Sequence, residues 1–445
     1  MSLSTKFYCK YYTLESNCVI IEKRKFNKSY INARFLLSRF VILLFTVVYL
    51  SCGENSNPGD PGPTGDKIPV NNSGVDCNKT VEYFIKDLDR DINSIPSWEQ
   101  IDCYTENLVR KPYPSTVIMV AERPPAEDGP VNNFGVWDFL QKQTAYLKTW
   151  PQNEVSGLAM FPPFLSTDGT SSFYRESAER WDEKMRANAL NAIWVKQQGY
   201  RVRITNFYPP SYFDQPNWWK LHAQNVNSAE TFLNWWRTEY IPERKELAKL
   251  AERIKAEILM PWDIEPGHFV RAFGDAWLSS LSESEQISLV QTMIDELAAA
   301  LRPLFSGTLS IIIYDSYAAF GQHWDQINVS AWDQANFVFF TQGNLEFTEQ
   351  YLDRQLEGYM KIIQRSNIPW IAQEVTVDGN NHRRLLSQGE TFEAIEEDIY
   401  RMIFKKLSEQ PVKPVGIGIT TGYIETPGAE SYVRSALSNV AAGGF

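Results

Sequence analysis

From residue 115 onward the chain alternates between short apolar runs and longer amphipathic stretches. The runs are 116–121, 155–161, 200–207, 257–261, 309–314, 336–341, 369–374 and 415–420. Most are rich in β-branched or aromatic residues and lack strict apolar–polar alternation. That is the pattern of strands buried on both faces of a parallel sheet. Between them, helical periodicity covers 176–198, 229–256, 283–304, 348–365 and 391–409. Ser282, with Glu285 three residues on, is a helix start signal. Eight strand patterns alternating with helices predict one (β/α)8 TIM barrel over residues 113–445 rather than an open sheet. No GxGxxG or Walker-type loop follows any strand, which argues against a nucleotide-binding fold.

The chain before the barrel reads differently. Residues 40–50 are apolar except for Thr46, and Lys23, Arg24, Lys25, Lys28, Arg34 and Arg39 precede them. An eleven-residue helix rises roughly 16 Å, about half the thickness of a bilayer core. A basic region before a short apolar one is a secretory signal. Leu50-Ser51-Cys52-Gly53 follows and resembles a bacterial lipobox, with Tyr49 in place of the usual aliphatic residue. Residues 1–51 are therefore expected to be a signal or lipoprotein leader, and Cys52 a lipidation site. Residues 52–76, rich in Gly, Pro, Asn and Asp, read as a flexible, disordered tether. Residues 77–112 are expected to be helical. The expectation is an exported protein, lipid-anchored to the bacterial outer membrane or cell surface.

Charge and cysteine usage narrow the partners. The formal charge of the chain is −11. Residues 1–50 hold eight Lys/Arg and two Asp/Glu, hence +6, and the remainder is near −17. An acidic body excludes nucleic acid as the main partner and leaves the lipid anchor as the contact with membrane. Cys77 and Cys103, the two cysteines beyond Cys52, form either a disulfide or a pair of buried thiols. The four histidines (His222, His268, His323, His382) are scattered, so neither a metal site nor an organic cofactor is expected. All fourteen Trp lie at or after Trp98. Most belong to the core, and a few suit stacking on sugar rings.

Two runs end in carboxylates. Glu265 follows the fourth run and Glu374 ends the seventh. In a parallel barrel the ends of separate strands converge on one face, which carries the active site. Two carboxyls there suit cleavage of a glycosidic bond, one protonated as acid/base and one as nucleophile. Asp263, two residues before Glu265 and on the same strand face, is the alternative acid. Trp262 and Trp370 precede the two glutamates, Asn206 ends the third run, and Tyr314 and Tyr317 close the fifth. These five are the candidate substrate-binding residues, each with core or rim packing as its alternative.

Three stretches carry a resemblance over roughly residues 115–425. The first is Trp235-Trp236-Arg237-Thr238-Glu239-Tyr240, then 247–252 and the strand leading to Glu265. The second is 309–314, then His323-Trp324-Asp325-Gln326 and Trp332-Asp333. The third is 368–374. Together they resemble the clan A glycoside hydrolases, and most of all glycoside hydrolase family 113, the β-mannanase-like barrels. The resemblance implies Glu265 as acid/base and Glu374 as nucleophile, on a β-linked, mannan-like polysaccharide or oligosaccharide. The chain departs from the pattern at Ile264, where many clan members have Asn, and at Phe340, where the family tends to have Tyr. No Trp stands in 415–422, although Tyr423 follows. The alternative is a non-catalytic surface glycan-binding lipoprotein on a degenerate barrel. A metal-dependent hydrolase is weaker still, for want of histidines at strand ends.

Overall fold

The computed structural model describes residues 75–88, 94–112, 116–121, 141, 145–160, 164–166, 173–175, 178–206, 226–261, 275–313, 326–443 and 445. The leader, the tether and Cys52 lie outside the described residues.

Eight parallel strands close into a barrel. In chain order they are β1 (Val117–Ala121), β2 (Glu154–Met160), β5 (Arg201–Asn206), β6 (Ile258–Met260), β7 (Thr308–Ile313), β8 (Gln334–Thr341), β9 (Trp370–Val377) and β10 (Gly416–Thr420). A short antiparallel hairpin, β3 (Phe164–Ser166) with β4 (Phe173–Arg175), follows the second barrel strand. Each barrel strand overlaps one of the eight apolar runs. Closure is made by β1 against β10, in register from Val117↔Gly416 to Ala121↔Thr420. At Gly416 a Cβ would lie 2.5 Å from the Val117 carbonyl oxygen, so this seam admits only glycine.

The absence of alternation in the runs has a simple cause, seen in β7, β8 and β9: both faces of the strand are buried. On β8, Phe337 and Phe339 face outward against Tyr359 of the helix α8 that follows (Leu345–Ser366), Phe337 stacking on it at 4.0 Å. The residues between them therefore face the barrel interior. Gln334 and Asn336 are both fully buried there. The Asn336 amide donates to the Ser310 hydroxyl of β7 at 2.7 Å.

Helix boundaries follow local chemistry. The 229–256 pattern is not one helix. It is α4 (Ala229–Trp235), a π-helical turn at Trp236–Tyr240, and α5 (Ile241–Arg253), with a proline in the first turn of α5. Helix α5 ends in a Schellman turn: Lys255 takes φ 53°, and the N–H groups of Lys255 and Ala256 reach the carbonyls of Glu252 and Ala251. At Ser282, the start signal of α7 (Glu283–Leu301), the Glu285 carboxylate accepts the Ser282 backbone N–H at 2.7 Å. The last helix, α11 (Pro427–Ala441), packs against α10 (Phe392–Glu409) and was not anticipated by the periodicity.

The segment before the barrel is two short helices, α1 (Val81–Leu88) and α2 (Trp98–Thr105), rather than a continuous one. Cys77 and Cys103 form a disulfide across it, with Cα atoms 5.6 Å apart. Asp102 accepts two hydrogen bonds from Arg253 of α5, at 2.7 and 2.6 Å. Arg110 then spans the N-terminal ends of two barrel strands. It donates to the Ala256 carbonyl at 2.7 Å, to the Ser306 hydroxyl at 2.6 Å and to Glu252 at 2.8 Å. Among the described residues no helix is long and apolar enough to cross a membrane.

Candidate active site

Barrel strand seven carries the most unusual backbone in the described chain. Among the described residues three non-glycine residues have positive φ: Lys255, Asn367 and Glu374. The first two end helices, where a left-handed residue is ordinary. Glu374, at φ 49°, lies inside β9. The registers show why. On one side Gln373 pairs with Val338, and pairing resumes at Thr376 with Phe340. On the other side Ala372 pairs with Ile417, and pairing resumes at Val375 with Ile419. In each case three steps on β9 match two on its neighbour. Strand β9 thus holds one extra residue, a β-bulge centred on Glu374. In an otherwise buried strand, Glu374 is the one residue that is partly exposed.

The bulge explains how a glutamate comes to stand in so apolar a strand. Regular alternation would send every second side chain into the barrel and the rest against the helices. The extra residue breaks that alternation and re-aims the chain in the half of the strand toward its C-terminal end, the side where barrel enzymes place their chemistry. Around it the strand ends are lined by hydroxyls. Thr376 donates to Thr420 of β10 at 3.1 Å, and Tyr146 donates to Thr421 just beyond it at 2.8 Å. Phe340, half-buried, stands opposite Thr376. Tyr423, also half-buried, closes the 3-10 turn that follows β10.

Behind the bulge, a buried histidine ties two strand ends together. His382, in the short helix α9 (Gly379–Leu385), has Nδ1 2.6 Å from the Gly343 carbonyl oxygen and Nε2 2.9 Å from the Thr341 hydroxyl. The carbonyl can only accept, so Nδ1 carries the proton and Nε2 accepts from Thr341. Burial holds the imidazole below its usual pKa, against the raising effect of the Gly343 carbonyl.

The sequence-derived candidates fall into three groups. Glu374 is placed by the bulge. Asn206 is the last residue of β5, and the side chain lies outside what is described. Strand β6 ends at Met260 and β7 at Ile313, so both chains leave the barrel on the C-terminal side. Trp262 and Glu265, and Tyr314 and Tyr317, follow these ends and lie outside the described residues. Trp370 is corrected. It starts β9, at the barrel end away from Glu374, and is fully buried. Its ring packs 5.7 Å from that of Phe337, and the indole N–H donates to the Val412 carbonyl at 2.9 Å. Facing outward into the helix layer, it cannot meet a substrate at the strand's other end. Of the paired tryptophans, Trp236 is fully buried and stacked on Tyr240 at 4.4 Å, while Trp235 is half-buried.

The charges inside the barrel were not among the sequence-derived candidates. Arg203 of β5 and Glu154 of β2 are both fully buried and in contact at 2.5 Å. Burial pushes the Glu154 carboxyl up, and the guanidinium opposes it. The other branch of Arg203 donates to Gln373, the residue before the bulge. The available signal was a charged residue in the middle of a strand-like run, which an interior position tolerates only when it is paired. Among the described residues no cluster of His, Cys, Asp and Glu has the arrangement of a metal site.

No family model matches the chain, and no curated protein matches it. Solved structures do. The chain is similar to a GH113 β-1,4-mannanase, with a TM-score of 0.43 and 13% identity over 73% of this chain and 98% of that one. It is similar to the GH113 β-mannanase from Alicyclobacillus acidocaldarius, with a TM-score of 0.41 and 14% identity over 74% and 96%. It is also similar to the endo-β-1,4-mannanase from Thermotoga petrophila, with a TM-score of 0.44 and 11% identity over 74% and 78%.

Proposed function

We propose that the chain is a retaining glycoside hydrolase acting on a β-linked, mannan-like polysaccharide or oligosaccharide. The observation that carries the reading is the carboxylate of barrel strand seven, set in a bulge within the C-terminal half of the strand. A left-handed glutamate costs about 1–2 kcal/mol, and strain of that kind gathers at sites where a side chain must be aimed. The second carboxylate, Glu265, follows in the chain after strand four, which ends at Met260. This is the order of acid/base and nucleophile that the sequence resemblance implies.

In this reading Glu265 protonates the leaving oxygen while Glu374 attacks the anomeric carbon, forming a glycosyl-enzyme. Glu265, now a carboxylate, takes a proton from water, which attacks the anomeric carbon and frees Glu374. Asn206, Trp262, Tyr314 and Tyr317 are the side chains proposed to hold the sugar. The same reading has the protein exported and anchored through Cys52. Cys52→Ala is then expected to move it from the membrane fraction to the soluble one, and unchanged fractionation would rule the anchor out.

The deciding experiment is hydrolysis of a panel of β-linked oligosaccharides by wild type, Glu374→Gln and Glu265→Ala. Glu265→Ala is expected to retain activity on activated aryl glycosides, which leave without protonation, and to regain deglycosylation with azide. Loss on both substrate types without azide rescue removes the assigned roles. One feature favours the non-catalytic, glycan-binding alternative: Phe340 brings no hydroxyl to the strand beside the bulge. That alternative predicts oligosaccharide binding by wild type and Glu374→Gln alike, with no product from either.

A further inference from the structure

The barrel interior holds a charge bridge that the proposed chemistry does not use. Barrel strands three and seven are four apart in a ring of eight, hence on opposite sides. Arg203 spans the space between them. One nitrogen meets Glu154 on the neighbouring strand two, and another donates to Gln373 on strand seven. All three side chains are buried, with Arg203 and Glu154 at 0% exposure and Gln373 at 2%. Barrel interiors are ordinarily filled by branched apolar side chains. A buried ion pair is often less favourable than such a filling, so stability alone does not account for this one.

The position of Gln373 does account for it. It is the last regularly paired residue before the bulge, on the side facing β8. The next residue, Glu374, is held at positive φ, which persists only where the surroundings over-determine it. On β10 the residue beside the bulge is Gly418. A Cβ there would lie 3.5 Å from the Glu374 nitrogen and 2.8 Å from the Met119 methyl, so that neighbour offers the bulge no side-chain support. Across the barrel, the Arg203 guanidinium donates to Gln373, the residue before the bulge. A guanidinium is a rigid planar fork, able to fix one partner relative to another.

We infer that Arg203, anchored by Glu154, is a positioning residue that holds the bulged backbone of Glu374 through its hydrogen bond to Gln373. The bulge-holding part stands on geometry alone. Its consequence for turnover rests on the reading of Glu374 as nucleophile.

The test uses Gln373→Met, which keeps length and bulk, removes the acceptor, and leaves the Arg203–Glu154 pair in place. Gln373→Glu restores an acceptor. Amide hydrogen exchange over residues 370–377 reads the backbone, and kcat and KM on a β-mannan oligosaccharide read the chemistry. In Gln373→Met, exchange at 374–376 is expected to quicken by about tenfold, the loss of one charge-assisted hydrogen bond, with other strands unchanged. Misplacement of the carboxylate is expected to lower kcat by about 10²-fold with KM held. Gln373→Glu should restore the slow exchange and part of kcat. Unchanged exchange in Gln373→Met overturns the inference, as does quickening spread evenly over all strands or failure of Gln373→Glu to restore it. If exchange behaves as expected but wild type cleaves no glycoside, the bulge support stands and the proposed function falls. If wild type cleaves and exchange is indifferent to residue 373, the reverse holds.

Discussion

The two ends of this barrel treat a carboxylate differently. At the N-terminal end, charges are saturated. Glu257, which precedes β6, accepts the backbone N–H of Val202 at 2.8 Å, that of Lys111 at 3.0 Å and the ammonium of Lys196 at 2.5 Å. Burial pulls the Lys196 pKa down and the Glu257 carboxylate opposes it. Glu252 shows the same saturation nearer the surface. Burial would raise its carboxyl, but hydrogen bonds from the Ser306 backbone, Lys255, Arg110 and the Ser306 hydroxyl bring it down to about 2. At the C-terminal end the strand ends around the half-buried Glu374 carry hydroxyls and one neutral histidine, while Arg383 pairs with Glu393 and Glu425 in the exposed segments beyond them. One end satisfies its polar groups by locking the segment before the barrel onto the strands. The other keeps a carboxylate partly exposed at a local energetic cost. If the proposed function holds, stability and chemistry occupy separate faces, as the barrel architecture permits.

The sharpest break of this contrast is Glu374→Ala. Hydrolysis of oligosaccharides is expected to fall to background, because no glycosyl-enzyme forms, while the thermal midpoint stays close to wild type. A large fall in that midpoint would show that the bulge serves stability, and would erase the distinction between the ends. Lys196→Met attacks the other end. Leaving Glu257 without its cation is expected to cost about 3 kcal/mol, read by denaturant unfolding, with kcat of the folded protein unchanged. Cys103→Ser, which opens the disulfide of the N-terminal segment, is expected to cost about 2–4 kcal/mol, again without change in kcat. A loss of kcat in either variant would couple the two ends.

The smallest effect concerns His382. Its folded pKa lies below the ordinary 6.5, so the unfolded chain binds the proton more readily. Stability is full above pH 6.5, falls as pH drops below that value, and levels off once the folded imidazole is itself protonated. A His382→Asn variant should lack this component. The difference in thermal midpoint between pH 7.5 and 5.5 is expected to be on the order of 2 °C smaller than in wild type. An equal difference in both proteins would remove His382 from the pH response.

Much of the fold was legible because a buried parallel strand needs a run of apolar residues, and its crossover helix needs an amphipathic face. Both are local properties of the chain. Residues 369–374 showed a strand carrying a glutamate for that reason, although the strand continues past Glu374 to Val377. The helix α11 was missed because alanine and serine soften its pattern. The break at Trp236–Tyr240 was missed because a π turn keeps nearly the same periodicity as the helix it interrupts. Trp370 was assigned to the wrong face, since a strand buried on both sides has no polar side to orient it.

By itself, then, the sequence determined the number, order and direction of the barrel strands, and that a glutamate stands in the seventh. Helical and strand periodicity, together with chain lengths between runs, suffice for that. Only the tertiary structure decided that Glu374 sits in a bulge, because a bulge exists as a mismatch of register against both neighbours. Only the tertiary structure paired Arg203 with Gln373, 170 residues away. A barrel brings opposite strands face to face across its axis, and nothing local to either strand records which side chain waits on the other side.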